Sequence, residues 1–153
     1  MQLTINGVAR SCDASCGSLA LQVLRNELGL LGVRAGCGEG HCGACTVLVD
    51  GLPTTTCDLA FDALEGRSVL TPEGVGSPEQ PHPVQAALLA EQAGQCGFCL
   101  SGILMTSVAL GQRRSPPSEQ EVRAALDRHL CRCGSQARIL RAVMKAVAGT
   151  VAS

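Results

Sequence analysis

Nine residues, Cys37-Gly38-Glu39-Gly40-His41-Cys42-Gly43-Ala44-Cys45, pack three thiols and three glycines into one loop. A segment this short cannot be a hydrophobic core, so thiols at this density read as ligands. The spacing C-x4-C-x2-C, completed by Cys57, is that of a plant-type [2Fe-2S] centre. Thiolate is what iron requires, and glycine lets the backbone fold tightly enough to aim N–H groups at the sulfurs. A second group follows downstream, Cys96-Gly97-Phe98-Cys99 and then Cys131-Arg132-Cys133.

These residues need a scaffold. Residues 2 to 6 alternate polar and apolar, Asn6-Gly7 is a hairpin signal, and Val8 opens a return strand. Ser18 is expected to cap a helix carrying Leu21, Leu24 and Leu28 and ending at Gly29. Beyond the cysteine loop, Thr46 to Val49 is a β-branched run closed by Asp50-Gly51. The following strand brings the chain back to Cys57, and Ser68 to Thr71 is a last short strand. The first half therefore reads as a small mixed sheet crossed by one helix.

Residues 72–83 hold four prolines and two glycines and read as irregular structure, a domain boundary. The boundaries expected are residues 1–73, a linker at 74–83, and a helical domain at 84–153. Helices are expected over Val84 to Ala93, Leu100 to Leu110, Glu119 to Leu130 and Ala137 to Val147. Ser118 and Glu121 form a capping box for the third. Four short helices suggest a bundle, and up-and-down connectivity would bring Cys96, Cys99, Cys131 and Cys133 together at one end.

Composition narrows the function. The net charge of -1 supplies no basic face for nucleic acid. There is no long apolar run for a membrane span and no basic, apolar leader at Met1 to Asn6. The expectation is a cytoplasmic chain, with co-export alongside a partner as the alternative. Phe61 and Phe98 are the only residues of the Phe, Trp and Tyr class, so the core lacks its usual large rings and metal clusters could compensate.

Ten cysteines admit a disulfide scaffold, structural zinc or iron–sulfur centres. A disulfide scaffold prefers a secreted chain. Zinc accounts for neither the upstream loop nor two four-thiol sites in so small a chain. Eight ligands and a spare pair, Cys12 and Cys16, is the simplest count, with the spare pair read as small buried apolar residues. His41, His82 and His129 read as solvent-facing or hydrogen-bonding residues, since a Rieske centre needs two histidine ligands. No catalytic triad or acid–base pair stands out. Two one-electron centres in one chain suggest a wire.

The strings around Cys37 to Cys45, Gln95 to Cys99 and Cys131 to Cys133 resemble the small iron–sulfur subunit of the molybdenum hydroxylases, the xanthine oxidase family. The resemblance implies an α+β chain, a β-grasp ferredoxin-like domain followed by a four-helix bundle, each with one [2Fe-2S] cluster. It implies that the cluster on Cys96, Cys99, Cys131 and Cys133 lies near a molybdopterin, the cytosine dinucleotide form, held by a large catalytic subunit. Gln95 and the backbone of Cys133 would approach that pterin, and the cluster on Cys37, Cys42, Cys45 and Cys57 would lie further out. The form Cys131-Arg-Cys-Gly134, followed by Arg138-Ile139, is similar to the two-subunit branch of isoquinoline oxidoreductase and nicotinate dehydrogenase. That branch acts on N-heteroaromatics or aldehydes and passes electrons to an external acceptor, a cytochrome. The rival reading is a free-standing two-cluster electron carrier.

Overall fold

The computed structural model describes residues 1–12 and 17–149. Cys16 lies outside them. Strand β1 (Gln2–Ile5) turns through Asn6-Gly7 into β2 (Val8–Ser11), and β3 (Thr46–Val49) turns through Asp50-Gly51 into β4 (Leu52–Thr55). All four turn residues have positive φ, from 49° to 82°, the conformation a two-residue hairpin demands and the reason both turns end in glycine. With β5 (Ser68–Leu70) the strands form one sheet of order β2-β1-β5-β3-β4, β1 and β5 running parallel.

The sheet is a wall between two cores. Strand alternation sends Leu3, Ile5, Val47 and Val69 to one face, where they pack with Leu21, Leu24 and Phe61. Phe61 is fully buried, and burying such a ring contributes about 2–3 kcal/mol. The opposite face presents Leu48 and Leu70 to the helical core.

Helices α2 (Pro83–Ala90), α3 (Leu100–Gly111), α4 (Glu119–Leu126) and α5 (Gln136–Gly149) build that second core. α5 packs against the other three, and α3 also lies on β3. The expected Ser118–Glu121 capping box starts α4, and His82 with Gln85 forms another at α2.

Several expectations need correction. The first helix, α1 (Ala20–Gln22), begins after Leu19 rather than Ser18, makes no side-chain cap bond, and widens into a π-turn over Val23–Glu27. Residues 72–83 are not wholly irregular, because Pro72–Gly74 forms a 3-10 turn. α2 stops at Ala90 because Gln92 adopts φ 46° and the Ala93 and Gln92 amides fold back onto the Leu88 and Leu89 carbonyls. This is the Schellman closure that glycine usually makes. α4 stops at Leu126, so residues 127–130 form a connecting segment instead of a helical turn.

Candidate metal centres

The cysteine loop folds as its glycines allow. Gly38, Gly40 and Gly43 take φ of 78°, 72° and 72°, which leaves the intervening amides facing inward. The Glu39, His41 and Cys42 N–H groups lie 3.4, 3.3 and 3.4 Å from Cys37 Sγ, and the Cys37 N–H is 3.3 Å from Cys42 Sγ. The Gly40 N–H reaches Cys57 Sγ at 3.1 Å. The β3–β4 hairpin brings Cys57 home: Thr46 pairs with Thr55, and beyond that pair the Thr56 N–H donates to Cys45 Sγ at 3.3 Å. Gly36 completes the cradle, since a Cβ there would sit 2.5 Å from Cys42 Sγ.

The second set forms at one end of the helices. Cys99 caps the N-terminus of α3, Cys96 precedes it, and Cys131 and Cys133 lie in the loop leading to α5. All four thiols line one small pocket, together with Gln95, Gly97 and Ser135. Ser135 Oγ is buried there without a hydrogen-bond partner.

Within each set the thiols lie close enough to influence one another: Cys57 feels both Cys45 and Cys37, Cys96 feels Cys133 and Cys131, and Cys99 feels Cys131 and Cys96. Among the described residues no three His, Cys, Asp or Glu side chains converge as a single ion would require. A tetrahedral zinc site needs its four donors around one point, whereas a [2Fe-2S] cluster takes two thiolates at each iron. Four thiols at each site fit the ligand count of such a cluster.

The environment already favours thiolate at the rim of each set. Backbone N–H groups, Cys42 first, lower Cys37 to about 6, and the Phe98 N–H leads in lowering Cys96. For Cys131, burial opposes the charge but is outweighed by the Ser135 amide, then the Cys99 thiol and the amides of Cys133 and Gly134. Cys57 and Cys99 are instead pushed up to about 12, chiefly by burial. Such buried thiols give up their protons only to a strong Lewis acid, and metal binding then releases them.

Around this frame lie the remaining residues singled out from the sequence. Gln95 is exposed and its amide donates to the Cys133 carbonyl at 3.3 Å, so the two form one unit at the surface. Cys12 is buried in the core beneath the sheet, which Cys45 and Cys57 also line, a small apolar residue as expected. His41 donates only its backbone N–H toward Cys37.

His129 is hydrogen-bonding, one of its two expected roles, but it is buried rather than solvent-facing, and its packing against the cysteine loop was not foreseen. Its ring is buried, Nε2 pairs with Thr106 Oγ1 at 2.8 Å, and Nδ1 lies beside the Gly43 backbone without an aligned hydrogen bond. Burial, followed by the neighbouring Arg128 charge, lowers it to about 4, with the Gly43 backbone opposing. A Cβ on Gly43 would come within 2.3 Å of that nitrogen, and one on Gly102 within 1.9 Å of the Gly43 oxygen. The sequence signal was only a pair of glycines too far apart to be read together.

Two four-thiol cradles, one on a ferredoxin-like sheet and one on a helical bundle, define the class of a two-cluster electron-transfer protein. Residues 3–70 match the 2Fe-2S iron-sulfur cluster binding domain family, and residues 71–144 match the [2Fe-2S] binding domain family. The chain is 44% identical over 146 residues to one of the subunits of nicotinate dehydrogenase from Pseudomonas putida, covering 95% of this chain and 93% of the relative. It is 42% identical to the alpha subunit of isoquinoline 1-oxidoreductase from Brevundimonas diminuta, covering 82% of each. Its fold superposes on the quinoline 2-oxidoreductase structure from Pseudomonas putida 86 with a TM-score of 0.91 at 35% identity, covering 99% of this chain and 94% of that one. The chain belongs to the small [2Fe-2S] subunits of the molybdenum hydroxylases. It is the non-catalytic, electron-transferring part of such an oxidoreductase, so the free-standing carrier is not favoured. No helix among the described residues is long and apolar enough to cross a membrane.

Proposed function

We propose that Cys37, Cys42, Cys45 and Cys57 ligate one [2Fe-2S] cluster and that Cys96, Cys99, Cys131 and Cys133 ligate the other. The domains in this reading are residues 1–73 and 84–153, joined by 74–83. The observation that carries it is the gathering of four cysteines at each site, the first set by backbone amides aimed at all four sulfurs and the second around one small pocket. Each cluster, when bound, supplies a store for one electron. The protein does the rest: amides aimed at Cys37, Cys42, Cys45 and Cys57 stabilise thiolate charge, and burial of Cys45, Cys57 and Cys99 keeps water from one side of each site.

Electrons enter at the helical set from a molybdopterin, as cytosine dinucleotide, on a large catalytic subunit. Gln95 and the Cys133 backbone serve as the point of approach, since a glutamine amide can donate to and accept from a pterin edge. They leave at the Cys37 loop for an external acceptor, a cytochrome. The names of the relatives, acting on nicotinate, isoquinoline and quinoline, support an N-heteroaromatic substrate, with an aldehyde as the other class. Charge supports the polarity of the wire. Residues 1–83 carry nine Asp and Glu against four Lys and Arg, and residues 84–153 carry four against eight. An acceptor with a basic face is therefore steered to the ferredoxin-like half. The compartment we propose is the cytoplasm, where thiols stay reduced until iron arrives.

The test is anaerobic purification of the chain with its large-subunit partner, followed by iron and sulfide analysis and EPR of the reduced complex. Two distinct [2Fe-2S] signals and a molybdenum-containing partner are expected. A colourless protein with tightly bound zinc would end the iron–sulfur assignment, and a stable monomer without such a partner would end the assignment to a larger complex.

A further inference from the structure

Ser135 stands at the start of α5, where its carbonyl accepts the Ile139 N–H at 3.0 Å, the first α-helical bond of that helix. A serine in this position ordinarily turns its hydroxyl onto the amides of the next turn and caps them. Ser118 does so for α4, accepting from the Glu121 N–H at 3.3 Å. Ser135 does not. Its side chain belongs to a residue only 3% exposed, and among the described residues its Oγ has no hydrogen-bond partner. Such hydroxyls are rare, because water satisfied them before folding and burial removes that partner.

The surrounding chain indicates where the hydroxyl is committed. Gly134 takes φ of 75° between Cys133 and Ser135, and both of these neighbours line the small pocket that holds Cys96, Cys99 and Cys131. Two glutamine amides hold the loop from outside, Gln95 on the Cys133 carbonyl at 3.3 Å and Gln136 on the Cys131 carbonyl at 3.4 Å. The Ser135 N–H already leads the groups that favour thiolate at Cys131. None of the four site thiols takes the hydroxyl, so the ligands do not account for it. A [2Fe-2S] cluster brings two further acceptors, its own sulfides, and hydrogen bonds to sulfur are among the levers that set such a cluster's potential.

Resting on the ligand reading above, we propose that Ser135 Oγ donates a hydrogen bond to a sulfide of the helical cluster and is the residue that raises the potential of that centre. Reduction by one electron puts more negative charge on the sulfurs. A fixed O–H dipole in a buried site stabilises that charge more than it stabilises the oxidised state. The proton stays on the serine oxygen throughout, and no bond forms or breaks. The hydroxyl makes the helical centre the better acceptor for electrons arriving from the partner subunit.

The experiment uses the complex of this chain with its large subunit, poised anaerobically over a range of potentials and frozen for EPR, so that each cluster's signal gives its own midpoint. Ser135→Ala should keep both signals and make the helical centre harder to reduce by roughly tenfold in its equilibrium constant, a downward shift of about 59 mV for one electron. The midpoint of the Cys37 centre should not move. Ser135→Thr keeps a hydroxyl and should restore the unsubstituted midpoint; a fall as large as that of the alanine variant overturns the proposal. An unchanged midpoint in Ser135→Ala overturns it too, and a lower melting temperature in that case would show the hydroxyl to be an ordinary cap of α5. An equal fall at both centres also overturns it, because it reports a general loosening. Should Ser135→Ala lose the helical cluster, Ser135→Gly, which an N-cap position tolerates well, takes its place, with a lowered midpoint supporting the proposal and an unchanged one overturning it. Failure of the ligand reading looks different, since one cluster signal would then be missing from the unsubstituted complex.

Discussion

The Gly32 N–H donates to Glu73 Oε1 at 2.6 Å, while the Gly32 carbonyl accepts from Ser101 Oγ at 2.5 Å. One residue of the approach to the cysteine loop is thereby pinned to the 3-10 turn after the sheet and to the first turn of α3. Glu73 also accepts from Thr71 Oγ1 at 2.7 Å. Glu73→Ala should loosen the loop's approach, costing about 1 kcal/mol for an exposed but charge-assisted pair of bonds. Thermal melts of the loaded complex, with the rate of iron loss to a chelator, check this. A rate of loss equal to wild type would show that Gly32 is held by Ser101 alone.

Gly102→Ala is expected to be far more damaging than an ordinary helix glycine substitution, which usually helps a helix. Its methyl group would stand 1.9 Å from the Gly43 oxygen. Backbone must move on one side or the other, a cost of about 1–3 kcal/mol from overpacking. The movement falls on the loop that holds Cys42 and Cys45. Iron content and the EPR signal of the Cys37 centre should fall while the helical centre persists, and a variant with both signals at full strength would contradict the packing.

Ligand and spare cysteines should separate cleanly. Cys57→Ser removes the thiol that receives the Gly40 N–H and should cost the Cys37 centre its signal, leaving the helical one. Cys12 packs in the sheet core that Cys45 and Cys57 also line but is not among the eight proposed ligands, so Cys12→Ser should leave both signals intact. Loss of either signal in the Cys12 variant would show that ligands and spare thiols have been sorted wrongly.

Stripped of metal, the thiols should react in a fixed order. Cys37 is exposed and lowered to about 6, so most of it is thiolate at pH 7, and its alkylation by iodoacetamide should rise through pH 6 and then level off. Cys57 and Cys99, buried and pushed up to about 12, should stay almost unmodified across the same range. Mass mapping after brief labelling reads the order directly, and labelling of Cys57 ahead of Cys37 would refute it.

Local chemistry was legible in the chain, and distant contacts were not. Asn6-Gly7, Asp50-Gly51 and the Ser118–Glu121 box each write their geometry into adjacent residues, and each was found where expected. The end of α2 was hidden because Gln92 takes the left-handed conformation that glycine normally announces. The end of α4 was hidden because the partner of the Leu130 N–H, the Cys42 carbonyl, lies far away in sequence. His129 looked like a helix-end residue for the same reason, since Thr106 and Gly43 are its neighbours only in space. The thiol spacings revealed both candidate sites, but not that the two sets share a wall.

That wall bears on ancestry. Each half matches a separate domain family, which invites the thought that either could be exchanged for a cousin by recombination. The contact of Gly43 with Gly102 forbids a free exchange. A graft bringing alanine at the helical position would collide with the resident loop, and a graft bringing any side chain at the loop position would collide with the resident histidine. The halves are therefore expected to descend together as a matched pair, and a chimaera of two relatives should assemble only when both glycines travel with it.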